Sequence, residues 1–188
     1  MDPHTEGASP RSAPPIAPPI ISIVGKSDSG KTTLIEKLIR EFTGKGYRVA
    51  TIKHDVRSFE VDKPGKDSWR HREAGAAAVV ISSSTRLFLT QQLSRELSLE
   101  EIRARYLAER CDLVIAEGYR RAGAPKIEVH RSARSDELLC DPAHDELIAI
   151  VSDRAWNLPI PVFDRDDTKT TVEFIEKTFL RRASPATQ

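Results

Sequence analysis

One short segment constrains the fold more than any other part of the chain, Gly25-Lys26-Ser27-Asp28-Ser29-Gly30-Lys31-Thr32. Its spacing is G-x-x-x-x-G-K-T, and it stands between an apolar run, Ile20 to Val24, and a helical pattern that begins near Lys31. A strand, a glycine-rich turn and a helix in that order are the context that a phosphate-binding loop requires. The segment therefore predicts a triphosphate site, and an ordinary strand–turn–helix corner is the alternative.

The residue types of this loop have separate predicted roles. Gly25 and Gly30 permit backbone conformations that turn successive N–H groups towards phosphate oxygens, and the helix that follows adds the positive end of its dipole. Lys31 is expected to reach the β- and γ-phosphates, and the Thr32 hydroxyl to bind a bridging Mg²⁺. The residues predicted to contact the nucleotide are Gly25, Lys26, Ser27, Asp28, Ser29, Gly30, Lys31, Thr32 and Thr33.

Hydrophobic periodicity around the loop predicts an α/β domain. Leu34, Leu38 and Phe42 fall on one helical face, and a β-rich run at 47–53 follows the Gly44-Lys45-Gly46 stop. Strand, helix, strand is the crossover expected of parallel pairing. Further strands are predicted at 112–118, 126–129, 147–151 and 161–163, and a closing helix at Val172, Ile175 and Phe179. We expect a P-loop NTPase fold, a mostly parallel, doubly wound sheet with flanking helices.

The middle of the chain predicts smaller elements. Residues 69–74 have a helical composition, with Asp67 or Ser68 available as the N-cap. The apolar run at 76–82 is typical of a buried strand, and 85–90 is its predicted hairpin partner. Ser98-Leu99-Glu100-Glu101 has the pattern of a capping box and predicts a helix there.

Composition limits the class of protein. A length of 188 residues suits one domain; we place it at 19–182, between a disordered proline-rich tail at 1–18 and a frayed end at 183–188. The net charge of +1 argues against a general nucleic-acid binder. Without a leader or a long apolar run, we expect a cytoplasmic protein with no membrane partner. Cys111 and Cys140 support neither a disulfide framework nor a zinc site.

Acidic residues at two strand ends are candidates for chemistry. Glu117 closes the apolar run at 112–118, where P-loop folds place an acid near the metal's water shell or the attacking water. Asp153 follows the strand at 147–151, where guanine-specific folds place a carboxylate that accepts from the base. The usual Asn-Lys-x-Asp spelling is absent there, and a turn or cap is the alternative for Asp153.

The polar segment at 55–68 has two interpretations. It is either a mobile element that senses the γ-phosphate, as P-loop GTPases keep after the second strand, or the approach to a helix cap. A basic run farther along could bind a phosphorylated second ligand or an acidic partner, or form a solvated loop; its members are Arg120, Arg121, Lys126, His130, Arg131 and Arg134.

Several blocks together resemble the MobB family. Besides Gly25 to Thr33, they are Ile52-Lys53-His54, residues 62–76, Ala116-Glu117-Gly118-Tyr119 and Lys126-Ile127-Glu128-Val129-His130. The blocks at 62–76 and 126–130 carry the specificity, since many families share the phosphate loop. The likeness runs from about residue 20 to 176 and leaves the proline-rich tail outside. Members of this family are GTP-binding accessory proteins of molybdenum-cofactor guanine dinucleotide synthesis.

The resemblance implies a homodimeric, weak GTPase that binds GTP and Mg²⁺. It implies a MobA-type guanylyltransferase as partner, which joins GMP to molybdopterin, and molybdopterin as a further ligand. On this interpretation Lys31, Glu117 and Asp67 are the catalytic residues, and Thr32, Asp67 and Glu117 hold the metal. Lys126-Ile127-Glu128 would lie near the nucleotide or the second ligand.

Two other functions remain as alternatives. A P-loop small-molecule kinase using ATP would employ the arginines at 120–134 as a lid around a transferred phosphoryl group. The blocks at 62–76 and 126–130 argue against it. A nickel-insertion GTPase would need a histidine- or cysteine-rich tract, which five scattered histidines and two cysteines do not provide.

Overall fold

A computed structural model describes residues 17–54 and 62–180. The predicted tail at 1–18 lies outside this range except for its last two residues, as does the whole predicted frayed end at 183–188. The predicted mobile segment at 55–68 is described only from residue 62. The described chain forms two compact units, one comprising 17–54 and 99–180 and the other 62–98.

The secondary structure follows the predicted alternation of strands and helices. In chain order the elements are β1 (Ile20–Val24), α1 (Lys31–Gly44), β2 (Val49–Lys53), α2 (Asp67–Glu73), β3 (Ala78–Ser82), β4 (Leu87–Gln91), α3 (Leu99–Ile102, continuing as a π-helix at Arg103–Leu107), β5 (Leu113–Glu117), β6 (Lys126–Val129), β7 (Leu147–Ser152), β8 (Val162–Asp164) and α4 (Thr168–Phe179).

The larger unit is built on a six-stranded sheet with the order β2-β5-β1-β6-β7-β8. All five neighbouring pairs are parallel. The carboxyl ends of the six strands therefore lie at one edge, which is where ligands bind in open α/β sheets. β1 is the third strand in this order, so the loop that follows it has strands on both sides.

Helices cover both faces of this sheet. On one face, Leu38 of α1 and Ile175 of α4 pack on Ile21, Ile23 and the inward residues of β5 to β7. On the other face, Leu99 of α3 packs on Ile20 and Val114. Alternate residues of β1 therefore serve opposite cores, as a strand covered on both faces requires. The predicted doubly wound sheet with flanking helices is confirmed.

The smaller unit contains α2 and a separate antiparallel hairpin of β3 and β4. The prediction of a hairpin at 76–90 is confirmed, but the prediction of a buried strand is wrong. Only Val79 of β3 is buried, because a two-stranded hairpin has too few strands to enclose an apolar core. Among the described residues, no helix is long and apolar enough to cross a membrane.

The N-cap predicted for α2 is also wrong. The helix begins at Asp67, two residues before the predicted start at 69, so Asp67 lies in its first turn and Lys66 takes the cap position without a side-chain hydrogen bond. The Ser68 hydroxyl donates instead to Oδ1 of Asp62, at 2.8 Å. A carboxylate in the first helical turn still complements the helix dipole.

Candidate functional site

The phosphate loop packs directly against the end of β6. Gly25 has φ +146°, and a Cβ placed on it would lie 2.3 Å from the carbonyl oxygen of Val129. Gly30, with φ +103°, caps α1 without a side-chain hydrogen bond. The first-turn amides of α1 are therefore available to an anion, as the motif predicts.

The Lys31 ammonium is held over its own loop. Its Nζ donates to the carbonyl oxygens of Gly25, at 3.0 Å, and Lys26, at 2.9 Å. These contacts fold the side chain back over the loop backbone. A cation held over the loop backbone suits the oxygens of a polyphosphate.

Two of the predicted metal-site residues are brought together across the sheet edge. The Thr32 hydroxyl, at the start of α1, donates to Oε1 of Glu117 at 3.2 Å. Glu117 pairs with Ile23 in β1, and its carbonyl accepts from His54 N at 3.0 Å. Because β5 lies beside β1, residues 85 positions apart in the sequence meet here.

These residues fit a Mg²⁺–triphosphate complex. A hydroxyl beside a carboxylate is a suitable oxygen set for Mg²⁺, which takes one or two protein ligands and completes its shell with phosphate and water oxygens. No group of three or more metal-binding His, Cys, Asp or Glu side chains occurs in 17–54 and 62–180. Inside the loop the buried Ser29 hydroxyl has no hydrogen-bond partner within the described chain, which leaves it available to a ligand.

A short turn after β6, residues 131–135, lies against the phosphate loop. Lys26 Nζ donates to the Ser135 hydroxyl. Arg134 lies 3.7 Å from the carboxylate of Asp28, which has a left-handed φ of 59°. The basic run predicted from the sequence therefore reaches the phosphate loop through Arg134, and the neighbouring Ser135 contacts the same loop.

Buried His130 links this turn to β7. Its Nε2 lies 2.9 Å from the Ser135 carbonyl and its Nδ1 lies 3.2 Å from Ser152 Oγ. Trp156 packs edge-on against the imidazole, with ring centroids 4.8 Å apart, and its indole N–H donates to the same Ser152 hydroxyl. Since the Ser135 carbonyl can only accept, Nε2 carries a proton.

Asp153 anchors the other end of the turn. Its Oδ1 accepts from Ser132 N at 2.9 Å, and this backbone hydrogen bond is the main cause of a pKa for Asp153 below the ordinary 3.8. Its Oδ2 faces Arg165 at 3.7 Å. Arg165 in turn lies against Gly30, where an added Cβ would be 2.9 Å from the guanidinium. The residue singled out for base recognition is thus linked to the phosphate loop.

The block at 126–130 has buried charges with backbone partners. Lys126 and Glu128 are 2% and 1% exposed. Lys126 Nζ donates to the Ala122 and Ala124 carbonyls, and the Glu128 carboxylate accepts from the amides of Leu139 and Cys140. These contacts hold the loops on either side of β6. Burial, with Glu128 nearby, raises the pKa of the Cys140 thiol to about 12, so Cys140 is not a nucleophile at neutral pH.

Two other predicted residues have the following places in the fold. Asp67 belongs to the smaller unit, where α2 begins. Arg120 faces Asp145 at 3.8 Å. Sequence reasoning did not select Ser135 or Arg165, because neither is part of a motif and both reach the site only through the folded chain.

Comparison with known proteins identifies the family of this chain. The family model described as "Molybdopterin guanine dinucleotide synthesis protein B", MobB, matches residues 20–153. The chain is 38% identical over 144 residues to the molybdopterin-guanine dinucleotide biosynthesis adapter protein of Haemophilus influenzae, covering 77% of this chain and 78% of that one. It is 34% identical over 162 residues to the protein of the same name from Escherichia coli, covering 84% and 91%.

Solved structures give the same result for the fold. A crystal structure of molybdopterin-guanine biosynthesis protein B superposes with a TM-score of 0.69 at 34% identity, covering 86% of this chain and 99% of that one. The Bacillus subtilis MobB structure has the same TM-score at 26% identity, covering 85% and 96%. The chain therefore belongs to the MobB family and has its P-loop NTPase fold.

Proposed function

We propose that this protein binds GTP with Mg²⁺ and acts as an adapter in synthesis of the guanine dinucleotide form of the molybdenum cofactor. The observation that carries the proposal is the meeting of the phosphate loop, Lys31, Thr32 and Glu117 at the carboxyl edge of a parallel sheet. The names of the relatives place them in the same biosynthesis.

The residues of the site have two kinds of role in this proposal, nucleotide binding and GTP hydrolysis. The loop amides and the Lys31 ammonium hold the β- and γ-phosphates. Thr32 offers a hydroxyl oxygen to Mg²⁺, and Glu117 keeps that hydroxyl oriented and accepts a hydrogen bond from water near the γ-phosphate. When bound, Mg²⁺ withdraws charge from the phosphate oxygens. The role of Asp67 in metal binding stays a prediction from the family resemblance.

We assign the selection of guanine over adenine to Asp153. A carboxylate accepts hydrogen bonds, and guanine offers N–H donors at N1 and N2 where adenine offers none in the same arrangement. The lowered pKa of Asp153 keeps it ionised at neutral pH. Its contact with Arg165, which in turn lies against Gly30, supports this assignment.

The partner in this proposal is a MobA-type guanylyltransferase. An adapter presents a bound nucleotide to an enzyme, or a surface that forms only when nucleotide is bound. A GTP-binding protein that hydrolyses GTP weakly suits this role. We also propose that the protein is a cytoplasmic homodimer.

The proposal is tested by competition between GTP and ATP for the purified protein, with and without Mg²⁺, followed by calorimetry. We expect GTP to displace ATP and Mg²⁺ to strengthen the binding. A preference for ATP would contradict the proposal and favour a small-molecule kinase instead.

The Lys31→Ala variant tests the site itself. We expect GTP binding to fall below detection, because removing one partner of a buried charge pair costs about 2–5 kcal/mol. Lys177→Ala removes an equal charge from the exposed surface of α4 and serves as the control, with unchanged titration expected. Equal affinity in the two variants would place the nucleotide elsewhere.

A further inference from the structure

The 131–135 turn is fixed against the site by contacts from several directions. Asp153 accepts from the Ser132 amide at 2.9 Å, and His130 donates to the Ser135 carbonyl at 2.9 Å. The amides of Arg134 and Ser135 both donate to the carbonyl of Arg131, which closes the turn on itself. A backbone held in this way places the side chain at position 134 reproducibly.

Arg134 is the residue that this turn presents to the phosphate loop. Its guanidinium lies 3.7 Å from Asp28, and the two side chains are 51% and 73% exposed. Exposed ion pairs of this length contribute little to stability, so the guanidinium can exchange its partner at small cost. Asp28 belongs to the phosphate loop at 25–32, so Arg134 contacts this loop directly.

The negative charge of Asp28 gives its pairing with Arg134 a bearing on phosphate binding. A carboxylate in a phosphate loop repels a triphosphate unless a cation accompanies it. Lys31 is turned to the carbonyls of Gly25 and Lys26, and the Lys26 ammonium is turned to Ser135. Among residues 17–54 and 62–180, the ion pair with Asp28 is made by Arg134.

We propose, on the basis of the proposed function, that Arg134 leaves Asp28 for the terminal phosphate of GTP and stabilises the charge that develops there during hydrolysis. In that reaction the oxygen of water forms a bond to the γ-phosphorus, and the bond from this phosphorus to the β–γ bridging oxygen breaks. The proton of the water passes to the products, GDP and inorganic phosphate. The guanidinium forks to two oxygens, a geometry that favours a phosphoryl group over a single carboxylate oxygen.

The test compares Arg134→Ala with Arg40→Ala. Arg40 also makes an exposed 3.7 Å ion pair, with Glu36 of α1, so its removal costs the same kind of surface contact. We expect Arg134→Ala to reduce the GTPase rate about 100-fold. We also expect a similar loss of affinity for GDP with aluminium fluoride, a non-reacting mimic of the transferred group, and less than about a tenfold loss for GTP. Arg40→Ala should match the wild type in the GTPase rate, in the affinity for GDP with aluminium fluoride and in the affinity for GTP.

A second variant pair separates contact with phosphate from simple masking of Asp28. If Arg134 only neutralised the carboxylate, adding Asp28→Asn to Arg134→Ala would restore hydrolysis and the affinity for the aluminium fluoride complex. We expect the double variant to stay as impaired as Arg134→Ala. Restoration, or an Arg134→Ala variant equal to the wild type, overturns the inference.

The same measurements distinguish failure of this inference from failure of the proposed function. A wild-type protein that binds no GTP removes both. A wild-type protein that binds and hydrolyses GTP, with an unaffected Arg134→Ala variant, removes only the role of Arg134. Thermal unfolding of each variant checks that the turn stays folded, since its backbone contacts do not involve the Arg134 side chain.

Discussion

At the scale of single residues, Gly25 packs against the backbone of Val129 without room for a side chain. A methyl group on Gly25 would lie 2.3 Å from a backbone carbonyl oxygen, which cannot move without shifting β6. The left-handed φ adds strain for any other residue. The glycine is therefore needed for the packing of the loop on the sheet, besides any role in phosphate binding.

Gly25→Ala is expected to destabilise the protein by about 1–3 kcal/mol, because the added group overpacks a rigid contact. Gly44→Ala is the matched control, since nothing lies within 4 Å of the Cβ position at Gly44. Chemical denaturation measures both variants. Equal free energies of unfolding would mean that the loop relaxes away from β6 at no cost.

Glu117→Gln is expected to retain GTP binding and lose hydrolysis by at least about 100-fold. The amide can still accept from the Thr32 hydroxyl, which preserves the 3.2 Å contact, but it has no charge with which to orient water. Phosphate release under saturating GTP gives the rate, and calorimetry gives the affinity. An undiminished rate would exclude Glu117 from the chemistry.

The sequence predicts some residues of the site and misses others for a physical reason. Lys31 and Thr32 are fixed by a local motif, and Glu117 by the rule that strand ends collect at one edge of a parallel sheet. Ser135 and Arg165 reach the loop through contacts with Lys26 and Gly30 that are more than 100 residues distant in the chain. No local pattern encodes such a pairing.

At the scale of elements, β6 departs from what its composition suggests. Lys126 and Glu128 are charged, yet both are buried on one face of the sheet while Ile127 and Val129 enter the opposite core. The sequence shows this alternation but not the partners, which are backbone groups of neighbouring loops and, for Lys126, also the Glu146 carboxylate. Buried charges with complete hydrogen bonding are tolerated and hold those loops in place.

The start of β5 is paired with the start of β2 by a reciprocal contact. Asp112 accepts from the backbone amide and the guanidinium of Arg48, both at 2.8 Å, and its own amide donates to the Arg48 carbonyl at 2.7 Å. The side-chain hydrogen bond from Arg48 is the largest cause of a pKa for Asp112 below the ordinary 3.8. The folded state therefore binds this proton less readily than the unfolded chain.

Asp112→Asn should lower the free energy of unfolding at neutral pH by about 1 kcal/mol or less, as for other exposed ion pairs. A lowered folded-state pKa stabilises the protein fully above the unfolded value and less as pH falls through the folded value. The difference between the variant and the wild type should therefore narrow below about pH 3.8. Urea titrations at a series of pH values measure this difference in the free energy of unfolding. A difference that does not change with pH would mean that the charge of Asp112 has no part in its pairing with Arg48.

At the scale of the whole molecule, the hairpin of the smaller unit has an uncovered apolar face. Val80, Leu87 and Leu89 lie on this face, and they are 57%, 65% and 38% exposed. Monomeric proteins rarely leave such a patch uncovered. The face contains no charge, and a second copy of the same face would complement it, as a twofold-symmetric interface requires.

Val80→Glu together with Leu87→Glu is expected to convert the proposed homodimer into a monomer, because facing copies would bury like charges. Light scattering after size-exclusion chromatography measures the mass. Leu93→Glu, which changes an exposed residue outside the two strands, is the control and should leave the mass unchanged. A double variant with the mass of the wild type would place the interface elsewhere.

The interruption of the larger unit by residues 62–98 has a consequence for synthesis on the ribosome. β1 cannot acquire either neighbour in the sheet until β5 and β6 have been made, and Arg165 reaches Gly30 only after β8 has emerged. Domains fold as units during translation. The glycine-rich turn of a nascent chain therefore lacks its packing partners from β5, β6 and Arg165 until translation is nearly complete.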